Sequence, residues 1–214
     1  MGRQNKKENV AALHKAAILQ AAEQIFLEKG FSAATIDDIS KASQYSRRTL
    51  YSYFASKEDM LYQIILNGLI SLRENLIQAI SENTAFLDQY HAICLAMKKY
   101  HETSPQSVES VNRAKNREID LHSLPPAAVS IFAFGTEINN LLAGFIESGK
   151  QQGLVRREIQ PMQTVYIMWA SLTSLLSLVH AKGEFLEREF SATQDDFLQY
   201  GFNQIINSIL KEPI

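Results

Sequence analysis

The chain has 214 residues, 46% of them hydrophobic and 21% charged, with 9 Gly and 5 Pro. That balance belongs to a folded globular protein with a sizeable core and excludes a disordered, collagen-like or Pro/Gly-rich chain. A single cysteine, Cys94, excludes an intrachain disulfide and a multi-cysteine zinc site, and a net charge of −2 does not by itself point to nucleic acid. The charge is unevenly spread: residues 1–60 carry +2 and residues 61–214 carry −4. No apolar run of signal-peptide type follows Met1 to Glu8, so a cytoplasmic location is expected.

Alternating apolar and polar runs are missing and helical spacing recurs throughout, which predicts an all-α fold. Leu13, Ala17, Ala21 and Ile25, with Ile18, Ala22 and Phe26, form the apolar stripe of a first helix. Gly30 is its stop signal, since glycine accepts the left-handed geometry of a helix end. Thr35 caps a short second helix, with Asp38 completing a capping box and Ile36, Ile39 and Ala42 on the buried side. Ser46 caps a third short helix carrying Leu50 and Phe54. Ser56 to Asp59 opens a long helix that runs through Leu61, Leu69 and Leu76 to Ile80. Two short helices separated by about three residues have the spacing of a helix-turn-helix.

Further helices are expected near 84–102, 105–123, 125–151, 161–182 and 190–211. Pro105, Pro125–Pro126 and Pro161 mark starts, and Gly153 and Gly183 mark stops. Ile159 to Ala181 lacks Asp, Glu, Lys and Arg and is long enough to span a bilayer. Gln160, Gln163, Ser171, Thr173, Ser174, Ser177 and His180 interrupt it, so a buried or subunit-interface helix is expected there and no membrane partner.

The chemistry concentrates between Thr35 and Lys57. A recognition helix needs long donors in its first turn, and Arg47 and Arg48 stand there, suited to bidentate contact with guanine. Thr49, Tyr51, Ser52 and Tyr53 add hydroxyls for bases or phosphates. Lys57 and the free amides at the start of its helix suit one phosphate, and those at the Thr35 helix suit another.

Taken in order, Ile18, Ala21–Ala22, Phe26, Glu28 to Phe31, Thr35 to Ile39, Lys41–Ala42, Ser46, Thr49 to Tyr51, Tyr53–Phe54 and Ser56 to Glu58 resemble the DNA-binding domain of the tetracycline-repressor (TetR-like) family of bacterial transcription regulators. The resemblance covers about a fifth of the chain. It implies a DNA-binding domain over residues 1–56, with an N-terminal basic arm, and a helical effector-binding and dimerisation domain over 57–214. It also implies a homodimer placing two recognition helices in successive major grooves of a near-palindromic operator. Arg47, Arg48, Thr49 and Tyr51 would then face bases or nearby phosphates, and Thr35, Tyr53 and Lys57 would hold phosphates. Three positions depart from the family pattern. Gln44 stands where a turn glycine is usual and must accept a less favourable backbone. Tyr45 stands where a small aliphatic is common and could offer its hydroxyl to a phosphate. Arg48 stands where glycine is frequent.

Phe197 to Leu210 carries no charge. Phe197, Leu198, Gly201, Phe202, Ile205, Ile206, Ile209 and Leu210 cover more than one helical stripe, which suits a four-helix bundle across a two-fold axis with the Pro161 to Ala181 helix. Candidate effector-pocket residues are Tyr90, His91, Met97, Phe132, Phe134, Glu137, Asn140, Phe145, Tyr166, Met168 and Trp169. Glu137 is singled out because a charge in an apolar stretch needs a partner or a cationic ligand. The expected function is a ligand-responsive regulator, most often a repressor in this family. The alternative is a ligand-independent architectural or cell-cycle DNA-binding protein on the same scaffold. No enzyme, cofactor or metal is expected. The five histidines form no HExxH, Cys94 lies in an apolar run, and GxGxxG, phosphate-loop and GxSxG motifs are missing.

Overall fold

A computed structural model describes residues 2–113 and 125–214. The described helices are α1 (Gly2–Lys29), α2 (Ile36–Ser43), α3 (Arg47–Tyr53), α4 (Lys57–Ser81), α5 (Phe86–Thr103), α6 (Pro105–Arg113), α7 (Pro126–Gln151), α8 (Pro161–Phe190) and α9 (Gln194–Asn207). Among the described residues the extended pairing is a bridge between Val155 and Leu210. Arg3 to Lys7 fall in the first turns of α1. The expected helix over 105–123 is described as far as Arg113, and its remainder, with His122, lies outside the described residues.

The chain forms two compact units: Met1–Leu69 with Ser104–Phe132, and Ile70–Thr103 with Ala133–Ile214. The first unit is larger than the 1–56 segment expected from the resemblance. Met60 and Ile64 of α4 belong to the same buried cluster as Ile18, Ala22, Phe26, Ile39, Leu50 and Phe54, and α6 packs on α1. That cluster covers α1 only from Ile18 onward. Leu13 is 69% exposed and Ala17 is exposed, so the buried stripe is Ile18, Ala21, Ala22, Ile25 and Phe26. On α2, Ile39 is buried and Ile36 half-buried, but Ala42 is exposed.

The caps read from the sequence are formed. Thr35 and Asp38 make a reciprocal capping box, Ser46 accepts from the Thr49 amide, and Ser56 accepts from the Asp59 amide at 3.1 Å. Gly30 ends α1 with φ +76°. Gln44 ends α2 in the left-handed region at φ 60° and ψ 18°, the less favourable backbone expected of a side chain there.

In the second unit, α5, α8 and α9 pack around Tyr90, Ile93, Met97, Leu172, Leu198, Phe202 and Ile206. Phe86 and Phe145 stack at 4.4 Å between ring centroids, and Gly149 lies so close that a Cβ would sit 2.5 Å from the Phe86 ring. The stop expected at Gly183 is a kink: Lys182 leaves helical geometry at φ −133° and ψ 18°, and a second helical segment runs from there to Phe190. A Cβ on Gly183 would also lie 2.5 Å from the end of the Gln194 side chain. The last helix is shorter than the expected 190–211, because residues beyond Asn207 leave it to pair with the 154–156 segment. Arg156 N donates to Ile209 O at 3.0 Å and Lys211 N to Leu154 O at 2.8 Å.

Candidate functional site

The first unit holds the candidate DNA reader. Leu50, fully buried, and Phe54 anchor one side of α3 in the core. Arg48 and Ser52, at i and i+4, lie on the opposite side of the helix and are exposed; Tyr51, next to them, is 55% exposed. Arg47 is exposed too, but its guanidinium pairs with the Asp37 carboxylate on α2. The short hydroxyls are engaged locally. Ser46 Oγ lies 2.9 Å from Thr49 Oγ1, and Ser52 Oγ donates to Thr49 O at 2.6 Å.

Thr35 is exposed, and its hydroxyl donates to Asp38 Oδ2 at 2.7 Å while accepting from the Asp38 amide. Lys29 donates to the other Asp38 oxygen at 2.6 Å. The Lys29 bond first, then the Thr35 bonds, lower the Asp38 carboxyl to about 2. Lys57 points inward. Its Nζ donates to the carbonyls of Phe31 and Ala34 at 2.7 and 2.8 Å and lies 4.5 Å from the centre of the Phe31 ring. The ammonium thus caps the loop between α1 and α2, a role the sequence reading did not assign. Gln44 is exposed in the turn, whereas Tyr45 and Tyr53 are half-buried against the core.

Two neighbours of this site were missed by the sequence reading. Asp37 holds Arg47, and His14 lies 3.0 Å from the Tyr53 hydroxyl. His14 had a signal: it stands four residues before Ile18 and eight before Ala22, on the face that meets the core.

The second unit contains a small cavity of about 20 Å³, on the scale of a water molecule. Its lining is Ile93, Met97, Leu142, Phe145, Ile146, Val165, Met168, Trp169 and Leu172. Of the candidate pocket residues, Met97, Phe145, Met168 and Trp169 lie on it. The others are placed elsewhere. Tyr90 is fully buried and its hydroxyl donates to Phe202 O at 2.8 Å. His91 joins Gln199 and Asn203 in a half-buried polar cluster on α5 and α9. Glu137 forms an ion pair with Arg73 at 2.7 Å, which supplies the partner its charge needed. Phe134 lies under the Arg73 guanidinium. Phe132, Asn140 and Tyr166 are exposed. The missed lining residues are aliphatic, and nothing in their type separates them from ordinary core. Cys94 is buried, and burial pushes its thiol up to about 12, so it is no nucleophile.

Of the residues expected at a dimer interface, Leu198, Phe202, Ile206 and Ile209 are buried within this unit by α5, α8 and the 154–156 segment. In the single chain they belong to the core. Phe197, Gly201 and Ile205 are half-buried, and Gly201 abuts the Leu175 side chain.

Comparison with known proteins gives this geometry a family. A model of the bacterial regulatory proteins of the tetR family matches residues 18–64, which span α2, α3 and their packing partners. The chain is 28% identical over 165 residues to the HTH-type transcriptional repressor NicS of Pseudomonas putida, covering 72% of this chain and 71% of that one. The ketosteroid transcriptional regulator of Mycobacterium tuberculosis shares the fold with a TM-score of 0.72 at 18% identity, over 92% of this chain and 95% of that one. FadR from Bacillus subtilis, solved in complex with stearoyl-CoA, does so with a TM-score of 0.69 at 14% identity, over 91% and 98%. Residues 18–64 therefore carry the DNA-binding domain of the tetR family of bacterial regulatory proteins, and the chain as a whole shares the fold of the solved regulators.

Proposed function

We propose that the protein is a cytoplasmic, homodimeric repressor that binds a near-palindromic operator through α3 and leaves it when a small hydrophobic effector enters the second unit. The observation that carries this reading is α3 itself. It is capped at Ser46, held from one side by Leu50, and exposes Arg48 and Tyr51. An exposed arginine in the first turn of such a helix suits the O6 and N7 edge of guanine. The N-terminal ends of α2 and α4, the positive ends of their helix dipoles, suit phosphates on either side. Two such helices in a dimer reach successive major grooves when they stand roughly 34 Å apart.

The apolar cavity lining supports a hydrophobic effector, and the complex of FadR with stearoyl-CoA is a precedent on the same fold. At about 20 Å³ the cavity must widen to admit one. Met97 and Met168, with unbranched flexible side chains, are the groups that give way. An effector bound only by the widened state shifts the population toward it, and with it the spacing of the recognition helices. Repression is supported by NicS, a named repressor. Dimerisation is supported by the large apolar residues left exposed on α8, among them Tyr166, Ile167, Leu178 and Phe185.

The test is a fluorescence-anisotropy titration against DNA from upstream of the protein's own gene, at two salt concentrations, with Arg48→Ala in parallel. Binding that exceeds random DNA, is lost in the variant and is released by an apolar ligand supports the reading; sequence-blind binding indifferent to the variant defeats it. The small cavity also favours a second reading, a ligand-independent architectural DNA-binding protein. That reading holds if specific binding survives a wide ligand panel unchanged.

A further inference from the structure

His14 belongs to α1, outside the two helices of the DNA reader, yet it touches both ends of α3. Its ring lies 5.0 Å from that of Tyr45, tilted by 51°, and 6.0 Å from that of Tyr53, nearly perpendicular at 83°. Its Nδ1 is 3.0 Å from the Tyr53 hydroxyl. Tyr45 immediately precedes the N-cap of α3, and Tyr53 is the last residue of that helix. All three side chains are half-buried, and both tyrosines pack against the core of the unit.

Leu50 and Phe54 hold one face of the seven-residue α3 in the core and set its distance and coarse orientation. Both lie in the C-terminal half of the helix or just past it, so its first turn, which carries Arg48, has no anchor of its own. The His14 contacts to Tyr45, before that turn, and to Tyr53, after it, tie the N-terminal end to the C-terminal one. Base readout requires this, because a recognition constellation works only within about 0.5 Å and 10–20° of its productive geometry. From the imidazole's bridge between Tyr45 and Tyr53 we propose that His14 is a positioning residue of the DNA reader, setting the rotation of α3 and so the presentation of Arg48 and Tyr51 to the groove. The inference rests on α3 being the element that reads DNA.

The experiment uses the full chain and the duplex that the unmodified protein selects from a random library. His14→Phe keeps a ring beside Tyr45 and removes the polar atom. His14→Asn restores a polar atom near the position of Nδ1. Tyr53→Phe removes the other half of the hydrogen bond. His14→Phe and Tyr53→Phe are each expected to lower affinity for the selected duplex by about 3- to 10-fold. The double variant should lose no more than either single one, and His14→Asn should recover part of the loss. Random-duplex affinity and the melting temperature should stay near those of the unmodified chain.

Unchanged specific affinity in His14→Phe, alongside its loss in Arg48→Ala, would overturn the proposal. So would additive losses in the double variant, or a loss shared by selected and random duplexes and accompanied by a lower melting temperature. If Arg48→Ala itself leaves specific binding intact, the assignment of α3 as the reader fails instead.

Discussion

The guanidinium of Arg47, in the first turn of α3, is paired with the carboxylate of Asp37 on α2. Both side chains are substantially exposed, so the pair adds little to stability, on the order of 1 kcal/mol or less. Its consequence is electrostatic. One of the two adjacent arginines of the reader is neutralised and held toward α2, while Arg48 stands exposed beside Tyr51. Arg48→Ala is therefore expected to weaken operator binding by about ten-fold or more, within the roughly 1–3 kcal/mol of a bidentate base contact. Arg47→Ala should cost less, and Asp37→Ala should strengthen binding by releasing Arg47 and removing a negative charge from the DNA face. Anisotropy titrations of the three variants check this; equal losses for both arginines would contradict it.

Lys57 offers a sharper contrast between sequence and structure. A phosphate-binding lysine, once removed, lowers the salt dependence of binding by about one counterion. Here its ammonium donates to two backbone carbonyls and lies over Phe31. Lys57→Met should therefore destabilise the protein by about 1.5–3 kcal/mol, the usual worth of hydrogen bonds to a charged group. The salt slope of DNA binding should not change. Thermal melts and titrations at several salt concentrations separate the two roles.

Gln44 holds φ at 60° in the turn between the two helices of the reader. A side chain in that region costs roughly 1–2 kcal/mol, which glycine avoids at some cost in chain entropy. Gln44→Gly is expected to raise stability by about 0.5–1 kcal/mol, read as a higher denaturation midpoint. A lower midpoint would mean that the Gln44 side chain makes a compensating contact.

Stability should depend on pH in two windows. Asp38 is lowered to about 2, chiefly by its bond from Lys29 and then by those from Thr35. A depressed carboxyl stabilises above its unfolded value of 3.8, and that contribution is lost as pH falls through about 2. His101 is lowered below 6.5, mainly by burial and next by the neighbouring His180, with Glu102 opposing. Between its folded value and 6.5 the unfolded chain binds the extra proton, so stability falls as pH drops through that interval. Melts from pH 8 to 2 should show both limbs. His101→Gln should flatten the upper one and Asp38→Asn the lower.

The exposed and buried apolar residues of α8 and α9 make opposite predictions. Ile167→Glu or Phe185→Glu, at exposed positions, should yield a folded monomer by light scattering. Phe202→Ala, at a buried position, should lower stability by about 3–5 kcal/mol and leave the association state of the folded protein unchanged. A folded dimer in both glutamate variants would remove this face from the interface.

Much of the reader was legible in the residues because its determinants are local. Thr35 with Asp38, Ser46 with the Thr49 amide, and Gly30 after α1 act over three or four residues of backbone, so spacing alone identifies them. The second unit was far less legible. Tyr90, Tyr166, Met97 and Trp169 are alike as cavity candidates in the sequence, yet the first is buried on the Phe202 carbonyl, the second exposed, and only the last two line the cavity. Which face of an apolar helix meets a neighbour depends on where distant segments pack.

By itself, then, the sequence determined the all-helical class, the capped helix pair, and the family's order of residues between Ile18 and Leu61, since propensity, capping and hydrophobic period are properties of adjacent residues. Tertiary packing alone decided that Lys57 turns inward to Phe31 and Ala34, that Asp37 holds Arg47, that Gln194 comes up against Gly183, and that Phe202 and Ile206 belong to the core. It also brought His14 to Tyr45 and Tyr53, a meeting of residues up to 39 positions apart. Such contacts depend on chain crossings between remote segments, and the chemistry of a side chain does not specify which remote partner it will meet.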